Sequence, residues 1–361
     1  DDGSLGDRND VTCVSIEHKM GIKASPTCVL SYGDQGEGAI GYLIGEENQG
    51  MRYMFTMMNN ARLSVGVEGL ALAERAYQDA VAYAQERRQG RAIGAPAGES
   101  SFIVEHPDVR RMLLTMKAQI EAMRGLIYVT AESLDRAAND PDEGARERAQ
   151  ERADLLIPIA KGWCTDLGVE VTSMAVQVFG GMGYVEETGV AQHFRDARIP
   201  PIYEGTNGIQ GMDLVGRKLP MRAGGVMADF IAEVRSLDGA LADGGEDLAG
   251  LRHHLHEATD ALDNATNWLL AHGLSDPNQA LAGATPYLRL FGVVAGGWVM
   301  ARQALAANAL AAAGEGDADF LAAKVVTARF YAENLLPQAL GLVAPVTAGA
   351  GDLFAIEPKY L

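Results

Sequence analysis

The segment MRYMFTMMNNARLSVGVEGLALAERAYQDAVAYAQERR, residues 51–88, decides the architecture. It has no proline, and Val65, Leu72, Ala76, Val81 and Ala84 recur at helical spacing. Its ~38 residues therefore predict one helix roughly 57 Å long, at about 1.5 Å rise per residue. Working outward, the same periodicity predicts long helices over 107–138 and 144–179 and a shorter one over 207–218, with Gly-rich or Pro-containing joints. Long helices on short connections fold back on one another as an antiparallel bundle. Upstream, 11–17 (VTCVSIE), 27–32 (TCVLSY) and 39–44 (AIGYLI) are short runs rich in β-branched and aromatic residues, separated by Lys23-Ala24-Ser25-Pro26 and Gly33-Asp34-Gln35-Gly36. They predict three strands. Downstream, 225–272, 280–312 and 317–342 are alanine-rich and amphipathic, and the small residues Ala304, Ala306, Ala307 and Ala309 allow close helix contacts.

The 361 residues carry 48 acidic against 30 basic side chains, a formal charge of −18. That sign argues against the phosphate attraction that dominates nucleic-acid binding. Residues 223–361 hold 7 Lys/Arg and 16 Asp/Glu, so half the charge sits in the tail. Local arginines can still hold an anionic ligand. Cys13, Cys28 and Cys164 form no CxxC pair and no even set, which fits free thiols in a reducing cytoplasm, buried as small hydrophobes. No uninterrupted run of ~20 apolar residues suggests a membrane span. The beginning at Asp1-Asp2-Gly3, without an initiating Met, reads as a cut.

The most unusual segment is Ile202-Tyr203-Glu204-Gly205-Thr206-Asn207-Gly208-Ile209-Gln210, which follows Pro200-Pro201. Two prolines stiffen the approach, Thr206 is suited to N-capping the next helix, and Glu204 is held between an aromatic and a glycine. A carboxylate so fixed suits a general base; the plainer alternative is that it complements the helix dipole. Gln177-Val178-Phe179-Gly180-Gly181-Met182-Gly183-Tyr184 ends a long helix in a glycine cluster, either an ordinary C-cap or backbone that approaches a ligand. It is neither a P-loop nor a Rossmann fingerprint. Arg87-Arg88-Gln89-Gly90-Arg91 either caps a helix C-terminus or grips a diphosphate. Arg62, inside an apolar stretch, needs a partner or a ligand. Met51, Met54, Met57 and Met58 read as core fillers, and His253, His254 and His256 as solvated helix surface with no metal site.

Lys19 through Ser25, Asn60-Ala61-Arg62, Gln85-Glu86-Arg87, Val104-Glu105-His106, Gln177 through Gly181, Arg195-Asp196-Ala197 and Tyr203-Glu204-Gly205-Thr206, in this order, resemble the acyl-CoA dehydrogenase family. The resemblance runs from about residue 11 to about 218, and the extra tail is similar to the longer branch of broad-range fatty acyl-CoA and 3-methylmercaptopropionyl-CoA dehydrogenases. It implies a mainly α fold: residues 1–50 as the C-terminal part of the middle β-domain, 51–220 as the four-helix-bundle flavin domain, and 221–361 as an additional helical domain. The N-terminal helical domain and the first half of the β-domain have no counterpart, so the resemblance implies a fragment that alone binds flavin weakly or not at all.

The resemblance also implies roles. Glu204 is the base that removes the α-proton of an acyl-CoA thioester while the β-hydrogen leaves as hydride to N5 of FAD. Arg62, Tyr203 and Gly205 lie at the substrate. Arg87, Gln89, His106, Gln177, Gly180, Gly181 and Thr206 meet the cofactor, which is shared across the interface of a homo-oligomer. Gly90, Pro107 and Gly208 depart from the family's usual residues. The implied electron acceptor is an electron-transfer flavoprotein in a cytoplasmic setting, with neither nucleic acid nor a membrane span. An acyl-CoA oxidase that uses oxygen and a noncatalytic bundle scaffold are the rival readings.

Overall fold

Val11–Ile16 (β1) and Cys28–Tyr32 (β2) pair antiparallel, with Val11 opposite Tyr32, Ile16 opposite Cys28 and a register shift between Cys13 and Ser15. The expected third strand at 39–44 is irregular instead. The Asn9 carboxamide accepts the Ile40 N–H and donates to the Ile40 carbonyl, both at 2.8 Å, so a side chain satisfies backbone groups that a neighbouring strand would otherwise pair. A two-stranded ribbon is too thin to enclose side chains. Cys13 and Cys28, expected to be buried, are accordingly exposed, and only Cys164 of the three thiols is buried.

The computed structural model describes residues 3–36, 38–273 and 275–361, which divide into two compact units, 1–60 and 61–361. Helix α1 (Gly50–Glu86) begins in the smaller unit. Met51, Met54 and Met57, expected in the core, are exposed there at 64%, 38% and 58%. From Ala61 onward α1 is a core helix, with Leu70, Ala73, Ala76, Ala80 and Ala84 buried.

The larger unit is helical. Helix α2 (Pro107–Asn139) lies along α3 (Glu143–Phe179), whose start is capped by Asp142 accepting from the Ala145 N–H. Helices α1 and α3 approach backbone to backbone: a Cβ on Gly66 would stand 2.5 Å from the Ala160 oxygen, and one on Gly69 would stand 2.9 Å from the Cys164 oxygen. Glycine is required at such contacts. Then come α4 (Val190–Asp196) and α5 (Asn207–Asp213). The helix expected over 207–218 widens after Asp213 into a π turn, Leu214–Lys218, closed by the Leu219 N–H on the Leu214 carbonyl at 2.9 Å.

The single helix expected over 225–272 is three: α6 (Gly225–Arg235), α7 (Asp238–Asp243) and α8 (Glu246–Gly273). Gly245, at φ +65°, ends the middle piece in the left-handed region. After α9 (Pro277–Ala282) comes α10 (Ala284–Ala313), followed by α11 (Ala318–Asn334), α12 (Gln338–Thr347) and α13 (Gly351–Ala355). The expected 317–342 helix breaks before Pro337, which cannot continue the hydrogen-bond ladder. Helix α10 is long and apolar enough to cross a membrane, but it is the spine of this unit and 78% of its most apolar stretch is buried. Trp163 of α3 packs on Gly292 and Gly296 of α10, and α2 also contacts α10 and α11. The tail helices thus share one continuous core with α1, α2 and α3.

Candidate active site at the Glu204 turn

The chain leaves α4 through Pro200-Pro201 and enters α5 through a tight turn. Within it Glu204 has φ +55° and Gly205 φ +82°. The left-handed region costs a non-glycine residue of order 1 kcal/mol or more, and such strain persists only where the surroundings over-determine it. The Gln210 side-chain amide donates to the Gly205 carbonyl at 3.0 Å, and the Asn207 N–H donates to the Pro201 carbonyl at 3.0 Å. Thr206 occupies the N-cap position but its hydroxyl does not cap α5. It donates back to the Pro201 carbonyl at 3.2 Å, because the proline bend brings that acceptor to it.

Glu204 is exposed, while Arg62, Asn207, Gln210 and Asp213 behind its turn are buried. Arg62 is 8% exposed and bonds Asp213 at 3.3 Å, and Asp213 also holds Arg217 at 2.6 Å. A Cβ on Gly205 would stand 2.9 Å from Gln210 Nε2 and 4.0 Å from an Arg62 guanidinium nitrogen, so Arg62 lies beside the Glu204 segment while its ion pair is with Asp213. Arg62 Nε and Gln210 Oε1 are buried without a hydrogen-bond partner. Tyr203 donates its hydroxyl to Glu68 of α1, and burial first, then that carboxylate, raises its pKa.

Beneath the turn lies a residue that the sequence reading missed. Lys161 of α3 is fully buried and donates to Asn207 Oδ1 at 2.9 Å. The two N–H groups of the Asn207 amide are in turn shared among the Gly162 carbonyl at 2.9 Å, Thr165 Oγ1 at 2.9 Å and Asp166 Oδ1 at 2.7 Å. Burial lowers the Lys161 pKa to about 8 against the pull of Asp166, Glu204 and Glu68, with Arg62 adding to the lowering. Burial raises that of Asp166. A lone cation inside Leu155-Leu156-Ile157-Pro158-Ile159-Ala160-Lys161-Gly162-Trp163 was the available signal, the same one that singled out Arg62.

The remaining expected residues form a second group at the far end of α1. Arg88 bridges to Phe102 in a short antiparallel contact, its guanidinium 3.8 Å over the Phe102 ring. This brings Arg87, Gln89 and His106 together: Arg87 donates to Gln89 Oε1 at 3.4 Å, and the His106 ring Nε2 donates to the Gln89 carbonyl at 2.8 Å. Phe179, at the end of α3, stacks on Tyr83 of α1 with ring centroids 4.1 Å apart. Gln177, Gly180 and Gly181 are exposed beside it. Gly180 (φ +61°, ψ −138°) adopts a conformation open to glycine, and a Cβ on it or on Gly181 would meet nothing within 4 Å. The 25 residues from Arg62 to Arg87 correspond to roughly 38 Å of helix, so the two groups are separate sites on one chain.

Residues 48–219 match the family described as "Acyl-CoA dehydrogenase, C-terminal domain", and residues 225–357 match "Acetyl-CoA dehydrogenase C-terminal like". The chain belongs to the acyl-CoA dehydrogenase family. It is 50% identical over 335 residues to a 3-methylmercaptopropionyl-CoA dehydrogenase of Ruegeria pomeroyi, covering 92% of this chain and 56% of that one. Among solved structures it resembles Caenorhabditis elegans ACDH-11 in complex with C11-CoA, with TM-score 0.74, 21% identity, and 91% of this chain and 51% of that one covered. It also resembles a Bacillus anthracis acyl-CoA dehydrogenase complexed with FAD, with TM-score 0.67, 21% identity, and 96% and 57% covered. These two likenesses concern the fold. The chain spans somewhat over half the length of the curated relatives it matches.

Proposed function

We propose that this chain carries the catalytic base and part of the FAD site of an enzyme that desaturates acyl-CoA thioesters between Cα and Cβ. The observation that carries the reading is Glu204: an exposed carboxylate on a strained left-handed turn, backed by the buried cations Arg62 and Lys161. In this reading Glu204 takes the α-proton, forming an O–H bond as the Cα–H bond breaks, and the electron pair moves toward the thioester oxygen. Arg62 and Gly205 bound the place where the thioester sits. Tyr203, tied to Glu68, closes its side. The buried unpaired Arg62 Nε and Gln210 Oε1 suit a site completed by a polar ligand.

The residues fit a dinucleotide. Arg87, Gln89 and His106 would hold the diphosphate end, with the Gln177–Gly181 turn at the adenine end and Thr206 near the base, and the open space at Gly180 and Gly181 leaves room for it. Bound FAD supplies the acceptor for the β-hydrogen as hydride. The roughly 38 Å between the two groups favours a homo-oligomer in which each contributes to a different copy of the cofactor. Electrons would leave to an electron-transfer flavoprotein, and the free thiols suit the cytoplasm. The test is the full-length, flavin-loaded protein mixed anaerobically with a panel of acyl-CoA thioesters. Flavin bleaching with enoyl-CoA formation, lost in E204Q with flavin retained, supports the reading; bleaching unaffected by E204Q refutes it. Oxygen consumption without an added acceptor would assign an oxidase instead.

A further inference from the structure

We propose that Lys161 is a positioning residue for Glu204, which from inside α3 fixes the start of α5 through Asn207 and holds a buried cation behind the Glu204 turn. The inference rests on the reading of Glu204 as the base. Three facts carry it. Lys161 is fully buried, and its ammonium donates to the carboxamide of Asn207, the first residue of α5 and three residues beyond Glu204. Asn207 is held from α3 at both ends of its carboxamide: Lys161 donates to its oxygen, and its two N–H groups are shared among the Gly162 carbonyl, Thr165 Oγ1 and Asp166 Oδ1. Helix α1 closes this layer from the other side, with Gly66 and Gly69 directly against the α3 backbone from Ala160 to Thr165.

The charges facing Lys161 are divided among other partners. Arg62 of α1 is neutralised by Asp213, which also holds Arg217. Glu68 of α1 accepts from Tyr203. Asp166 of α3 accepts from Asn207, and Arg289 of α10 pairs with Glu170 while acting on Asp166. Glu204 is the remaining carboxylate acting on Lys161. A buried ammonium with a single carboxamide acceptor is an expensive way to anchor a helix, and Gln or Met would fill the space without desolvating a charge.

The experiment compares K161M, K161Q and E204Q with the unsubstituted full-length, flavin-loaded protein, measuring kcat, KM and their pH profiles with a thioester substrate. K161Q keeps a donor for Asn207 without the charge, and K161M removes both. The expected result for K161M is a kcat lowered about tenfold or more with KM changed less than about twofold, and for K161Q, which keeps the donor to Asn207, a kcat restored toward that of the unsubstituted protein. A folded, flavin-loaded K161M with unchanged kcat, a K161Q that fails to restore kcat, or a kcat that falls only in step with flavin content overturns the proposal. If neither variant folds, the unsubstituted protein decides: a basic limb near pH 8 is required, where Lys161 loses its proton, and its absence overturns the proposal. Turnover that survives E204Q, or is absent from the unsubstituted protein, removes the Glu204 reading itself and this inference with it.

Discussion

Replacing Lys161 by Met should raise the stability of the folded chain at neutral pH, and the gain should vanish as pH rises. The ammonium is fully buried and its pKa falls from the ordinary 10.5 to about 8, chiefly through burial. The sign follows from proton counts. The folded chain releases this proton near pH 8, and the unfolded chain keeps it to about 10.5. Between those values the unfolded state binds more protons, so stability rises with pH. Below pH 8 the penalty is constant, and a fall of about 2.5 units at about 1.36 kcal/mol each puts it near 3 kcal/mol. Against this, K161M loses one hydrogen bond, worth about 1 kcal/mol net, while the Thr165 hydroxyl, on the Lys161 carbonyl at 2.8 Å, lies within reach of Asn207 Oδ1 at 3.3 Å. K161M should therefore gain about 2 kcal/mol at pH 7, roughly 4 °C in Tm for a unit of this size, and lose most of that margin by pH 9.5. The assay is thermal unfolding of both proteins from pH 6 to 9.5, read as the difference in Tm at each pH, so that every other titrating group cancels. A difference that stays constant across that range refutes the assignment of a charged, buried Lys161.

E204G should relieve the left-handed strain and stabilise the protein by about 1 kcal/mol while abolishing turnover, checked by unfolding and by enoyl-CoA formation. D213N leaves Arg62 buried with a neutral partner, and the broken pair should cost about 3 kcal/mol and weaken thioester binding, measured by denaturant unfolding and calorimetric titration. G66A drives a methyl to 2.5 Å from the Ala160 oxygen on a backbone that cannot swing aside. It should cost about 2–3 kcal/mol and lower kcat by parting α1 from α3, measured by unfolding and turnover.

The long proline-free segment before Arg88, the glycine cluster after Phe179 and the Tyr203-Glu204-Gly205-Thr206 turn were legible in the chain, because helical periodicity and turn chemistry are local properties. The family also follows from the order of its motifs, and two matched family regions cover most of the chain. Failures came wherever a residue's fate depended on what packs against it. Met51, Met54 and Met57 are apolar and yet exposed, and Cys13 and Cys28 face outward from a two-stranded ribbon. Segment 39–44 has the composition of a strand, yet Asn9 serves its backbone at Ile40.

By itself the sequence determined the long helices between residues 51 and 179, the family and the residues that stand at the Glu204 turn, since each is written in spacing and order along the chain. Tertiary structure alone decided that Lys161, 43 positions before Glu204, lies beneath its turn, that Asn207 joins α3 to α5, and that Arg62 spends its charge on Asp213. The physical reason is burial: a cation's partner and proton affinity are set by the groups brought around it when water is excluded, and here that followed from glycines at 66 and 69 letting two backbones meet.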